Sequence, residues 1–187
     1  VSGPSTDITT GLDFSMDPDC HAFWTYMREC TPICAVLISS MPLDPERHEH
    51  QACTRTLGGV AAAQLRTRRH FLAEFPLDPA LPYGAWQAPW PCVLSAPHVT
   101  CHVVDSCASQ PCVDAHGPLT RSHVYVPHPS MAPAFSSMQC DGTHKGAHTG
   151  CTRAPWSWGL AQRAVHSVNC LVALVCPPLY PSIGTGP

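Results

Sequence analysis

The chain has 187 residues, room for one ordinary domain, and only 12% of them are charged, about half the usual share of a soluble domain. Leu, Val, Ile and Phe together make up about 20% of it, the level at which apolar burial barely offsets chain entropy. The net charge of −3 argues against nucleic acid as a partner, because phosphate binding needs clustered cations, and so weak a charge favours self-association.

Val1 opens the chain where Met would be expected, which reads as a fragment, a processed product or an open frame without its own start. Residues 1–20 carry Asp7, Asp13, Asp17 and Asp19 and lack the apolar centre of a signal peptide. No compartment is assigned on these grounds. In a reducing cytosol the 12 cysteines would rarely form lasting disulfides; a secreted, disulfide-bonded protein truncated upstream is the alternative.

The expected fold is mostly irregular, with a few α-helices at about 18–30, 56–75 and 157–175, a small or marginal core and partial disorder. Residues 1–187 read as one unit. Asp17-Pro18 offers a cap followed by a proline suited to the first helical position, with Phe23, Met27 and Cys30 on one face and Pro32 as the stop. Ile33–Ile38 is a strand candidate.

The best amphipathic pattern spans 56–75, where Leu57, Ala61, Leu65, Leu72 and Phe75 line one side and Pro76 ends the run. Gly58 and Gly59 each weaken such a helix by about 1 kcal/mol. Prolines then punctuate 76–97 and 127–140, which read as loop or linker. Val99–Val104 and Ser122–Val126 are weak strand candidates, and no shared sheet is evident. In the last helix Leu160, Ala164, Val168, Leu171 and Val175 share a face, Arg163, His166 and Asn169 form a polar stripe, and Pro177-Pro178 is the stop. Trp156 and Trp158 are expected to anchor its start. The expected core is Leu57, Leu65, Leu72, Phe75, Leu160, Val168 and Leu171. The longest apolar stretch, Cys170–Cys176, is far below the roughly 20 residues of a membrane span.

Chemistry concentrates in one segment. Cys140, His144, His148 and Cys151 follow a spacing of three, three and two intervening residues, and two thiolates with two imidazoles suit a tetrahedral zinc ion. Gly142, Gly146 and Gly150 pace the segment and let a loop curl tightly. The spacing differs from that of zinc fingers, and the Glu of the His-Glu-x-x-His motif is missing. Composition also tempers the cluster. Cys and His are so abundant that a window of about 12 residues holding four of them arises roughly once in such a chain by chance. Cys92, His98, Cys101 and His102 form a second such window.

Lesser groups read blandly. Cys20-His21 with Cys30 and Cys34 offers metal ligands if the first helix forms, and Cys30 and Cys34, four apart, equally fit two small apolar residues on a buried face. His48, Glu49, His50 and Cys53 fit a solvated turn, and Cys107 with Cys112 lacks the Cys-x-x-Cys redox spacing. Trp86 and Trp90 are a weak ligand-stacking pair. No nucleophile elbow or phosphate loop is present, and the acidic residues form no evident acid/base pair. The reading that follows is a chain to which no specific biochemical function is attached, an orphan or incidental open frame. Its alternatives are a small Cys/His zinc-binding or interaction module centred on 140–151 and a fragment of a secreted disulfide-bonded protein.

Overall fold

The computed structural model describes residues 14, 16–38, 48–76, 89–109, 119–142, 148–149 and 158–176. In chain order they form α1 (Asp17–Cys30), β1 (Cys34–Ile38), α2 (His48–Arg66), β2 (His70–Pro76), α3 (Trp90–Leu94), β3 (Thr100–Asp105), α4 (Ser106–Ser109), β4 (Leu119–Val126), a 3-10 turn at Ala132–Ala134, β5 (His148–Thr149) and α5 (Trp158–Val175).

A mixed sheet runs through the middle in the order β1-β2-β4-β3. Strands β1 and β2 are parallel, with Cys34 beside His70 and Ile38 beside Glu74, and α2 makes the crossover that parallel neighbours require. Strand β4 is antiparallel to β2, placing Ala73 opposite Tyr125 and Phe75 opposite His123. It is also antiparallel to β3, placing Thr100 opposite Val126 and Asp105 opposite Arg121. The two-residue β5 runs parallel to the start of β4, with His148 beside Leu119.

Side chains alternate across a strand, and here the alternation divides the core in two. Phe71, Ala73, Tyr125 and Leu37 join Phe23, Val60, Ala61, Trp90 and Val93 on the face covered by α1, α2 and α3. Leu72, Val104, Val124 and Val126 join Met131, Phe135, Met138, Leu160, Ala164 and Leu171 on the other face, covered by α5 and the turns at 127–138. Of the expected core residues, Leu72, Leu160 and Leu171 are buried and Leu57, Leu65, Phe75 and Val168 pack against the clusters. A small core thus closes around a sheet, and the sheet is the main departure from the sequence reading.

The helix expected at 56–75 is corrected at both ends. It starts at His48 and stops at Arg66, and 70–76 is strand β2. The stop is a Schellman motif: Arg68 takes a left-handed φ of 56°, Arg69 N–H donates to Gln64 O at 2.8 Å, and Arg68 N–H donates to Leu65 O at 3.1 Å. Glycine normally fills that position, so the sequence offers no visible stop. The Gln64 amide, almost fully buried, then donates to Pro32 O and His70 O at 3.0 Å each, tying the helix end to the entries of β1 and β2. Strand β2 is internal and covered on both faces, so Phe71, Leu72 and Ala73 are all fully buried. Such a continuous apolar run also fits a helix by spacing.

The other helices lie close to expectation. At α1 the N-cap is Met16, with no side-chain cap bond, and Asp17 and Asp19 sit in the first turn, where their charges suit the positive end of the helix dipole. Phe23 is buried but Cys30 is exposed. Helix α5 buries Leu160, Ala164, Ser167 and Leu171. Trp158 is 73% exposed and belongs to neither core cluster, contrary to the expected anchoring of the helix start; Trp156 lies outside the described residues. No helix among the described residues is long and apolar enough to cross a membrane.

Candidate functional site

Among the described residues, a dense polar arrangement lies where β3 passes into α4. Asp105 ends β3, and the antiparallel register sets it opposite Arg121. Arg121 donates from Nε to Asp105 Oδ1 at 2.7 Å and from Nη2 to Oδ2 at 3.2 Å. The carboxylate is 1% exposed, so its charge is held by a two-pronged partner, which buried carboxylates need. Asp105 Oδ2 also accepts the Cys140 N–H at 2.8 Å, and the Asp105 N–H donates to Met138 O at 2.8 Å. The hydrogen bonds that Arg121 donates to Asp105 raise the guanidinium above its ordinary value; burial opposes the rise and the Asp105 charge adds to it.

These bonds fix where the Cys140 segment begins. The Gly142 N–H donates to Cys140 Sγ at 3.2 Å. Gly142 takes a φ of +77°, a conformation that side chains rarely adopt. Eight residues after Cys140 the chain returns to the sheet as β5, whose His148 backbone lies beside Leu119. Leu119 and Arg121 are two residues apart on β4, roughly 7 Å along the strand. The backbones of Cys140 and His148 are therefore brought to the same end of the sheet. His144 and Cys151 lie outside the described residues, as does the His148 side chain. Among the described residues no three His, Cys, Asp or Glu side chains come within reach of one metal ion.

The second Cys/His window is not a cluster. Cys92 and His98 are exposed on α3 and the following turn, and Cys101 and His102 point to opposite faces of β3 because they are adjacent in a strand. His102 lies near the Phe135 ring, with centroids 6.3 Å apart, and its Nε2 contacts Thr100 Oγ1 at 3.2 Å. Cys101 sits on the Tyr125 side. Burial pushes its thiol up and a hydrogen bond with Tyr125 pulls it down, with burial the larger effect. The Tyr125 hydroxyl in turn meets His123 Nδ1 at 3.3 Å. A thiol pushed up is protonated at neutral pH and is a poor nucleophile, so this Cys, Tyr and His row lacks the activation that acyl transfer needs.

The remaining groups serve structure. Burial pushes the Cys34 thiol up to about 12, which leaves it a small apolar residue of β1 packed against the core. Cys20 Sγ donates to Phe14 O at 3.0 Å. His48, Glu49 and His50 open α2 instead of forming a solvated turn. Trp90 is buried and donates its indole N–H to Thr54 O at 2.9 Å, so it is not a ligand platform; Trp86 and Cys112 lie outside the described residues. The ten described cysteines are thiols.

Sequence reasoning did not find Asp105 and Arg121, which stand 16 residues apart. The available signal was an acid at the end of Val103-Val104 and a base ahead of Val124-Tyr125-Val126, on two strands that both needed the same partner. The chain matches no known protein family, and neither a curated protein nor a solved structure is similar to it. No specific biochemical function follows from relatedness.

Proposed function

We propose that the segment from Cys140 to Cys151 is a zinc-binding element and that the chain is a small Cys/His binding module, with the sheet as its scaffold. The observation that carries this reading is the placement of Cys140 and His148. The first is tied through its N–H to buried Asp105, the second is paired beside Leu119 in β5, and both belong to the four-residue set Cys140, His144, His148 and Cys151. With Cys140 and His148 already held at one edge, less chain entropy is lost when the loop between them closes around an ion. The Gly142 N–H on Cys140 Sγ is the kind of surrounding bond that orients a sulfur ligand.

The role is structural in chemistry. Four protein ligands leave no open position for water, which a catalytic zinc needs, and Arg121 is committed to Asp105. The product of an incidental open frame, without a dedicated activity, is the second reading. It is favoured by a composition with a single lysine, a single asparagine and four glutamates beside 21 prolines.

Native mass spectrometry of the full chain with added zinc separates the two. One zinc per chain is expected, lost in Cys140→Ser and in His148→Ala and kept in Cys92→Ser with Cys101→Ser. No stoichiometric zinc, or zinc indifferent to Cys140 and His148, overturns the proposal and leaves the second reading.

A further inference from the structure

Helix α5 carries a second stripe, on the side away from the sheet, that the core does not use. Its residues are Trp158, Gln162, Val165, Asn169 and Val172, continued by Cys176 one position past the helix end, whose N–H still donates to Val172 O at 2.8 Å; all six are exposed. Their spacing alternates four and three, the seam of a two-stranded coiled coil. With Trp158, Val165 and Val172 at d, the a positions hold Gln162, Asn169 and Cys176. We propose that this stripe is a self-association surface on which a second copy of the chain packs its own α5 in parallel.

Three observations select a second copy. None of the six residues is charged, and Arg163 is the one charged residue of α5, so self-pairing meets little like-charge repulsion. Asn169 is the only asparagine of the chain and stands at an a position. There it is satisfied by its own equivalent at the same level, the arrangement that fixes register and two-strandedness; a wholly apolar partner would leave its amide unbonded. The third observation is area. Exposures of 73% at Trp158, 60% at Val165 and 37% at Val172 amount to roughly 300 Å² of apolar surface, the size of the largest and often functional patch on a monomer. With Gln162, Asn169 and Cys176 added, two such stripes clear the roughly 1,000 Å² that a specific contact needs. The contact is isologous and therefore closes at two copies.

The test is sedimentation velocity of the full chain from micromolar to hundreds of micromolar. A concentration-dependent doubling of the 20.1 kDa mass is expected. Val165→Glu with Val172→Glu should abolish it, with helix content checked by circular dichroism, while Val36→Lys with Ile38→Lys on the β1 edge should leave it intact. In the unaltered chain, a short bismaleimide should give a Cys176-to-Cys176 cross-link on peptide mapping, a readout independent of variant folding. A chain monomeric throughout, an association that survives the Val165 and Val172 changes, or the absence of that cross-link overturns the proposal. Binding of the stripe to a lipid surface or to another protein would show itself as the first of these.

Discussion

Asp105 and Arg121 face one another across β3 and β4, the guanidinium Nε 2.7 Å from a carboxylate that is 1% exposed while the arginine side chain is 38% exposed. The asymmetry sets what each substitution does. Arg121→Ala leaves a buried charge without its partner and is expected to cost about 2–3 kcal/mol, the usual penalty for a broken buried pair reduced because water reaches the arginine side. Asp105→Asn keeps an acceptor for the Cys140 N–H and should cost less. A urea double-mutant cycle on the two sites checks the coupling.

Stability should fall as the solution is acidified from neutral. Burial lowers His70, with His128 adding to the effect; it also lowers His102, and His123, where Arg121 adds. A histidine depressed in the folded state binds its proton first in the unfolded chain. Stability is therefore lost as pH drops through the unfolded value of about 6.5, and the loss levels off below the folded values. Unfolding midpoints measured from pH 7.5 to 5 should decline, and His123→Gln should flatten the decline.

Two neighbouring glycines should respond differently to alanine. At Gly58 a Cβ would meet Pro89 Cδ at 2.9 Å and Trp90 Nε1 at 3.0 Å, on a ring fixed by its bond to Thr54 O. The overpacking should outweigh the helix-propensity gain of about 1 kcal/mol and leave Gly58→Ala destabilised by about 1–2 kcal/mol. At Gly59 the neighbour is Trp24, 3.0 Å away and only partly buried, which has room to give. Gly59→Ala should be neutral or stabilising. Thermal midpoints of the two variants decide the matter.

The proline-punctuated stretch at 127–140 contributes Met131, Phe135 and Met138 to the core, and Ser167 of α5 donates to Met131 O at 3.1 Å. Phe135→Ala should therefore cost about 3–5 kcal/mol, as for a large aromatic removed from a packed interior. A residue of a free linker would cost next to nothing. Chemical denaturation measures the difference.

Much of the secondary structure was legible because local rules sufficed. Pro18 and Pro32 bracket α1, the paired prolines after Cys176 follow α5, and short β-branched runs mark β1, β3 and β4. The boundary at Arg66 was not legible, because an arginine in left-handed conformation does what glycine usually does. The apolar spacing of Leu65, Leu72 and Phe75 satisfies a helix and a buried strand alike. Nor was the sheet legible as a whole. Its order brings β4 between β2 and β3, and that pairing depends on contacts far apart in sequence. The same holds for the site: the Cys and His set is written in one short segment, but the Asp105 and Arg121 pair that holds Cys140 in place exists only after β3 and β4 have paired.

Every site argued above presumes that sheet, and amide hydrogen exchange tests it most directly. The amides of Phe71–Glu74 in β2 and Val124–Val126 in β4 should be the slowest in the chain and lose protection together as denaturant is raised, since both strands are buried between the two core clusters. Rapid exchange at 71–74 and 124–126 in the absence of denaturant would contradict the fold and every site built on it.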